Sequence, residues 1–241
     1  MKKIYTLMMA LLAVFALSCS KPDDKGGKNN HQVDPEEQEP EYEMPIKIDG
    51  DFSDWAKIDA SKMCIAECAQ DSPWKGLTIL KVFMDDLYMF AYFEFVDASI
   101  PDKSDVQFHV YFDADNNPET GGCNNQFNPG CIEYMGEGHL FRSDQFESFN
   151  PSISEWVGEP LAGGWEWEEL IPSGSGVFTG AGSGHAYEMA MMRSAIEGLG
   201  DVFGFGMDIQ QGWSSVGVLP NANIDDSNPT GKSALLVVSQ K

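Results

Sequence analysis

The segment VYFDADNNPETGG, residues 110–122, places four oxygen-bearing side chains at every second position of a polar turn. These side chains belong to Asp113, Asp115, Asn117 and Glu119. Carboxylate and amide oxygens are the ligands that Ca²⁺ prefers in proteins. The loop is not an EF-hand, because Pro118 and Asn124 occupy the positions where that motif has Gly and Glu. We predict a structural calcium loop. The alternative is a hairpin loop in which these residue types supply only turn dihedrals.

Tryptophans in polar, glycine-flanked segments are the second set of residues that could bind a ligand. Sugar rings stack on exposed aromatic faces while neighbouring polar groups bond to their hydroxyls. The segments DSPWKG, GGWEWEE and QQGWSS contain the candidate sugar platforms Trp74, Trp165, Trp167 and Trp213. On a strand, Trp165 and Trp167 would share one face, about 7 Å apart. The alternative is a structural role for each, since Trp is highly buried on average.

The acidic residues do not single out a catalytic pair. Glycosidases use two carboxylates that flank a cleft, but 38 acidic residues in one chain make chance pairs common. The sequence contains no GxSxG, HExxH or glycine-rich phosphate loop. Its four histidines are scattered along the chain, at His31, His109, His139 and His185. We therefore expect no enzymatic activity.

The N-terminus is typical of an exported bacterial lipoprotein. Two lysines precede the apolar run IYTLMMALLAVFAL, which is shorter than the about 20 residues of a membrane span. The ALSC sequence at the end of this run (16–19) resembles a lipobox, which predicts lipidation of Cys19 after removal of a signal peptide over residues 1–18. The next residues, SKPDD, resemble the acidic export signal of Bacteroidetes surface lipoproteins. We expect an outer-membrane protein that faces the cell exterior.

The chain after Cys19 divides into a tether and one domain. Residues 19–43 are acidic, contain several prolines and have almost no apolar side chains. Such a segment buries too little surface to offset the entropy of ordering, so we predict a disordered tether. Residues 44–241 are enough for one sizeable core.

The charge balance excludes some classes of partner. With 38 acidic and 15 basic residues the chain has a formal net charge of −23. Such a surface repels nucleic acid and anionic lipid, so the lipid and not a basic patch would hold the protein at the membrane. It is compatible with neutral glycans and with divalent cations.

Four cysteines remain once Cys19 is assigned to the lipid anchor. An even number in an exported chain predicts disulfides among Cys64, Cys68, Cys123 and Cys131. Three connectivities are possible, and the local pairs 64–68 and 123–131 are favoured here. Zinc is disfavoured because the CxxC spacing of zinc knuckles is absent.

The elements that must position these residues are predicted to be strands. Residues 77–96 contain two alternating segments about the turn Asp85–Asp86, and the second is apolar on both faces, as in a covered central strand. Residues 105–112 alternate, with Val106, Phe108, Val110 and Phe112 directed inward and Gln107, His109 and Tyr111 outward. Further strands are predicted at 187–192, 202–210 and 234–239. Two short helices are predicted, at residues 61–69 and 192–200. Many strands with Gly- and Pro-rich turns indicate an all-β, two-sheet antiparallel sandwich.

The order of several short motifs resembles that of a known family. IDGDFSDW (48–55) is similar to the opening of family 9 carbohydrate-binding modules and their DOMON-like relatives. The hairpin VFMDDLYMFAYFEFVDASI (82–100) and the segment YEMAMMRSAI resemble later motifs of the same group, although Met192 and Arg193 stand where an Ile-Pro pair is usual. FDADNNPETGG is similar to a loop of Bacteroidetes surface proteins. The resemblance implies a jelly-roll-like β-sandwich with a pair of Trp residues that clasps a sugar.

Together these features predict a lipid-anchored, surface-exposed, non-catalytic carbohydrate-binding protein with a glycan as partner and a structural Ca²⁺. The main alternative is a structural or accessory subunit of an outer-membrane complex, with an envelope protein as partner and no small ligand. A third hypothesis comes from the DOMON-like resemblance alone: some of those domains bind haem through a Met and a His, here His139 or His185.

Overall fold

Two antiparallel sheets pack face to face in the computed structural model of the protein, which describes residues 42–148 and 151–240. In chain order the strands are β1 (Cys64–Glu67), β2 (Leu77–Met84), β3 (Tyr88–Phe95), β4 (Asp105–Asp113), β5 (Gly122–Cys123), β6 (Cys131–Ile132), β7 (Tyr134–Arg142), β8 (Gln145–Phe146), β9 (Ser152–Trp156), β10 (Trp167–Ile171), β11 (Phe178–Ser183), β12 (Ala186–Met192), β13 (Val202–Gln211), β14 (Ser214–Leu219) and β15 (Leu236–Ser239). The described residues therefore confirm the all-β sandwich. The predicted signal peptide, Cys19 and the tether up to residue 41 lie outside the described residues.

The two sheets differ in size and in strand order. The first has five strands in the order β1-β2-β3-β12-β11. The second has the order β10-β9-β7-β4-β13-β14, with β15 paired to β13 and β8 to β7. A small separate sheet joins β5 and β6. Strands distant in sequence, such as β4 and β13, are thus brought into direct register.

The alternating apolar residues of both sheets form one shared core. Phe93 of β3 and Phe108 of β4 are fully buried and stack with ring centroids 5.5 Å apart across the two layers. Full burial of one such side chain contributes about 1.5–3 kcal/mol. Phe108 alternates with Val106, Val110 and Phe112 in the same core, which confirms the inward face predicted for 105–112.

Strand β3 is covered on both faces, as its two apolar faces predicted. Met89, Ala91, Phe93 and Phe95 face the shared core. Phe90 and Tyr92 face a second cluster, formed by the segment that precedes β1 and centred on Ile46 and Trp55.

Both predicted helices are wrong. Residues 61–69 contain β1, whose side chains alternate between buried and exposed and pair in register with β2. Four residues are too few for the sequence pattern to distinguish a strand from a helix turn. The segment forms a strand because it pairs with the free edge of β2. Residues 192–200 contain only the single 3₁₀ turn Arg193–Ala195. The other 3₁₀ turns are Phe52–Lys57, Ala60–Lys62 and Asp97–Ser99, and the described residues contain no α-helix.

The favoured 64–68 disulfide is incompatible with this fold. Cys64 begins β1 and Cys68 comes directly after its last residue, so about 13 Å of extended chain separates their Cα atoms. A disulfide requires Cα atoms within about 7 Å. The four cysteines of the described residues are unbonded in the structure.

Candidate functional site

The candidate site is a cleft on the outer face of the larger sheet. Its floor includes His109 and Tyr111 of β4, Met135 of β7 and Gln210 of β13. Gln107, His109 and Tyr111 do point outward as predicted, but all three are buried, with His109 only 4% exposed. Loops from other parts of the chain cover this face, which strand periodicity alone could not indicate.

Two loops and a hairpin tip form the walls of the cleft. One wall is Cys123 to Gln126, between β5 and β6, and the other is the segment Gly164–Trp167 that enters β10. Trp213, at the turn between β13 and β14, completes the rim. The cavity measures about 230 Å³, below the ~300 Å³ of sites that enclose drug-sized ligands. It therefore suits a unit of about one sugar ring.

Phe127 anchors the first wall to the sheet. It is buried, and its ring meets Tyr111 edge-on with centroids 5.6 Å apart. A Cβ on Gly206 would lie 2.5 Å from the Phe127 ring, so only glycine permits this approach. The polar residues just before Phe127 are thereby held at the cleft.

The structure brings three of the four predicted tryptophans together. Trp165 and Trp213 are 71% and 72% exposed, and both line the cleft with Trp167. Trp167 is braced by Trp156, whose ring it meets edge-on at 5.3 Å. The sequence did not single out Trp156, which in turn rests on Gly122.

Trp213 stands in an unfavourable backbone conformation. Gly212 and Trp213 have φ angles of +57° and +66°. A side-chain-bearing residue in this left-handed region costs about 1–2 kcal/mol, and such turns favour Asn or Gly. The chain thus keeps a large apolar side chain in solvent at a position where a small residue would be more stable.

Trp74 does not line this cleft, unlike the other three candidate sugar platforms. It is half-buried and packs against the outer-face cluster that contains Tyr111 and Phe127. Its carbonyl accepts a hydrogen bond from Asn221. The polar flanks of Trp74 reflect a surface loop and not a binding face.

Asp208 of β13 lies at the centre of a hydrogen-bond network behind the cleft. It is fully buried and accepts from His109 Nδ1 at 3.0 Å, Ser215 Oγ at 2.7 Å, Gln210 Nε2 at 2.9 Å and Gln126 Nε2 at 3.3 Å. The network therefore joins three strands of the sheet to the loop that contains Gln126.

His109 is held between two carboxylates. Its Nε2 lies 3.3 Å from Glu137 Oε2, while Nδ1 bonds to Asp208. Burial alone would lower the pKa of His109, but the hydrogen bonds to Asp208 and Glu137 outweigh burial and raise that pKa to about 9. The hydrogen bond from His109 lowers the pKa of Glu137. At neutral pH the ring is a buried cation, paired on both sides.

The predicted calcium loop forms an acidic cluster with a different membership. Asp113, Asp115 and Glu133 place carboxylate oxygens within 4.8 Å of one another. Glu119 is exposed and is not in this group, and the side chain of Asn117 instead accepts a hydrogen bond from the Glu119 amide. Glu133 enters from the segment between β6 and β7, 20 residues after Asp113 in the numbering.

The electrostatics of the cluster fit a cation. Glu133 Oε1 is buried and has no hydrogen-bond partner among the described residues. Burial and the like charges of Asp113 and Asp115 raise the pKa of Glu133. Burial, followed by the charge of Asp115, likewise raises the pKa of Asp113. Among the described residues no Lys or Arg pairs with these three carboxylates, which accept hydrogen bonds from neutral donors such as the amides of Ala114 and Asn117.

Cys123 and Cys131 face each other across the β5–β6 pair at the base of the first wall. The amide of Asn124 donates to Gly130, so the two cysteines occupy a non-hydrogen-bonded pair, whose Cα atoms are about 4.5 Å apart. That separation lies within the range of a disulfide. The 123–131 pairing stays a prediction.

The polar residues of the cleft were not recognised from the sequence. Asp208 and Gln210 interrupt the apolar strand FGFGMDIQ at alternate positions, which is a signal for polar groups on one face. His109 and Asp208 are register partners in β4 and β13. Neither His139, which pairs with Asp105, nor the exposed His185 lines the cleft.

Comparison with known proteins assigns no family. No protein-family model matches the chain, and no curated protein shows significant similarity to it. Among the described residues, no helix has the length and apolar character needed to cross a membrane.

Proposed function

We propose that this chain is a non-catalytic carbohydrate-binding protein and that the cleft between Gln126 and Trp213 is its site. The observation that carries the proposal is the position of Trp165 and Trp213 on one cleft, each more than 70% exposed. Exposed Trp is costly in water and is concentrated where an apolar face meets a partner. The strained backbone of Trp213 adds to that cost without a packing benefit.

The remaining lining residues supply the polar half of sugar recognition. Asn124, Asn125, Gln126 and Gln210 present amides beside the aromatic rings. Amides both donate and accept hydrogen bonds, as sugar hydroxyls do. Aromatic faces would cover the C–H surface of a ring while the amides bond to its edge.

The same lining supports a role without catalysis. Of the described residues that line the cleft, none is Asp or Glu. The two carboxylates that bond to His109 of the floor are committed elsewhere: Asp208 accepts four hydrogen bonds, and Glu137 is paired with His109. Glycoside hydrolysis needs two carboxyl groups at the scissile bond.

The proposal includes a structural Ca²⁺ at Asp113, Asp115 and Glu133. The buried, unpartnered oxygen of Glu133 supports it. The ion would connect the loop after β4 to the segment before β7. Strands β4 and β7 also contribute floor residues to the cleft. It would rigidify the site and would not touch the ligand.

We further propose that Cys19 is lipidated and holds the domain at the outer membrane, facing the exterior. The ALSC and SKPDD motifs support this location. A surface-anchored glycan binder would retain polysaccharide near the cell.

Affinity electrophoresis of the purified protein in gels that contain plant, host or microbial polysaccharides tests the function. We expect retardation by at least one neutral polysaccharide, abolished by Trp165→Ala. The result that would count against it is equal mobility in every gel together with capture of an envelope protein that survives Trp165→Ala and Trp213→Asn, which favours the accessory-subunit alternative.

A further inference from the structure

The buried carboxylate of Asp208 determines which atoms the cleft offers to a ligand. A carboxylate only accepts hydrogen bonds, so each group around it must present a donor. Gln126 and Gln210 both direct Nε2 at Asp208 Oδ2, at 3.3 and 2.9 Å. The reverse amide orientation would place a carbonyl oxygen against the carboxylate and leave that buried charge short of donors.

The carbonyl oxygens of both amides are consequently left for the ligand. Gln126 and Gln210 line the cleft, and neither Oε1 accepts a hydrogen bond within the described part of the chain. The atoms are not sealed from solvent, since they are absent from the buried unpartnered atoms of the described residues. The cleft floor thus presents two fixed acceptors.

The cleft also lacks the groups that hold anions. Of the described lining residues none is Lys or Arg, and both ring nitrogens of His109 are occupied by Asp208 and Glu137. A ligand carboxylate or sulfate would meet two carbonyl oxygens, and the one cation among the described floor residues, His109, is already paired with two carboxylates. The net charge of −23 adds a long-range repulsion of the same sign.

We infer that the cleft selects a neutral sugar over its uronic acid, with Asp208 as the positioning residue that turns the Gln126 and Gln210 acceptors toward ligand hydroxyls. This inference rests on the proposed function. It assigns specificity to a residue that does not touch the ligand, since Asp208 lies behind the amides that line the cleft.

The test compares matched monosaccharides by ligand-observed NMR and Trp fluorescence at about 0.15 M salt, where surface charge is partly screened. The probes are glucose and glucuronate, and the corresponding galactose pair. We expect the wild-type protein to bind the neutral member about tenfold tighter than the uronate, a difference in affinity that one hydrogen bond can provide.

Asp208→Asn should reduce this ratio to about threefold or less, because an amide at that position accepts and donates and so permits either Gln orientation. Asp86→Asn is the matched control: it makes the same change of charge at an exposed turn outside the cleft, so the ratio should persist. If Asp208→Asn does not fold, Gln126→Ala replaces it, since this half-exposed loop residue provides one of the acceptors. Gln126→Ala should weaken neutral-sugar binding severalfold and leave uronate binding unchanged.

The two proposals fail differently. Equal or tighter binding of the uronate, still lost in Trp165→Ala, overturns the specificity inference and leaves a carbohydrate site. An unchanged ratio in folded Asp208→Asn or in Gln126→Ala also overturns it. Binding of no member of either pair, with no retardation by any polysaccharide, overturns both.

Discussion

The carboxylate of Glu188 accepts a 2.9 Å hydrogen bond from the indole nitrogen of Trp55, 133 positions earlier in the chain. The amides of Asp49 and Gly50 donate to its other oxygen at 3.0 and 2.9 Å. Glu188 itself is fully buried in β12. This single side chain thus fastens the IDGDFSDW segment over the outer face of the smaller sheet, where Trp55 is a core residue.

Glu188→Ala should destabilise the fold strongly. Three buried or partly buried donors would lose their acceptor, at about 1–3 kcal/mol for each group left unsatisfied. We expect the free energy of unfolding in urea to fall by about 3 kcal/mol or more. Asp54→Ala removes a half-buried carboxylate of the same segment whose hydrogen bonds from Lys47 and Lys57 are exposed, and it should cost far less. Equal losses would contradict the proposed anchoring.

Trp213→Asn should separate binding from stability. Asn tolerates the left-handed conformation that Trp213 adopts at φ +66°, so the melting temperature should be unchanged or higher. Glycan retardation should be lost, with affinity reduced about tenfold or more, equivalent to at least ~1.4 kcal/mol. Trp74→Phe is the control outside the cleft and should bind normally. A lower melting temperature for Trp213→Asn would indicate a structural Trp.

The charge on His109 should make stability depend on pH. Its folded-state pKa of about 9 lies above the ordinary value of 6.5, so its stabilisation is complete below about pH 6.5 and is lost as pH rises through 9. The loss should be on the order of 2–3 kcal/mol between these limits. His109→Gln should flatten this slope in urea titrations, whereas the more exposed His139→Gln should retain it. A wild-type stability that rises over this range would exclude a buried imidazolium.

Calcium should raise the melting temperature through Glu133 and not through Glu119. A ligand at a hundredfold excess over its Kd stabilises by about 2.7 kcal/mol, or several degrees for a domain of this size. The rise should vanish after treatment with a chelator and in Glu133→Gln, while Glu119→Gln should behave as wild type because Glu119 is outside the cluster. No shift at millimolar calcium would leave residues 113–119 as an ordinary polar loop.

Cys123 and Cys131 should form a disulfide when the protein is exported into an oxidising compartment. Closing this nine-residue loop should stabilise the domain by about 2–3 kcal/mol. Thiol alkylation followed by peptide mass spectrometry should find 123 linked to 131 and free thiols at 64 and 68. A 64–68 link in folded protein would require β1 to be absent.

The sequence by itself determined the fold class and the core of its strands. Alternation with a period of two predicted that Phe108 and Phe112 face the core and that both faces of β3 are apolar. This is possible because the residue pattern within a strand indicates which of its faces are buried, whichever strands lie beside it. It also singled out Trp165 and Trp213 as candidate sugar platforms from their polar, glycine-flanked contexts, and the structure shows both exposed. It could not distinguish a short edge strand at 64–67 from a helix, because only the neighbouring β2 supplies the missing hydrogen bonds.

Which residues lie together in the cleft and in the acidic cluster depends on the tertiary structure. The strand order that sets β4 beside β13 pairs His109 with Asp208, 99 residues apart, and so fixes the amides of the cleft. Because of the same packing, Glu133 and not the predicted Glu119 belongs to the acidic cluster, and Trp74 lies outside the cleft. Such contacts depend on loop closure and on sheet order, which are long-range and carry no periodic signal in the chain.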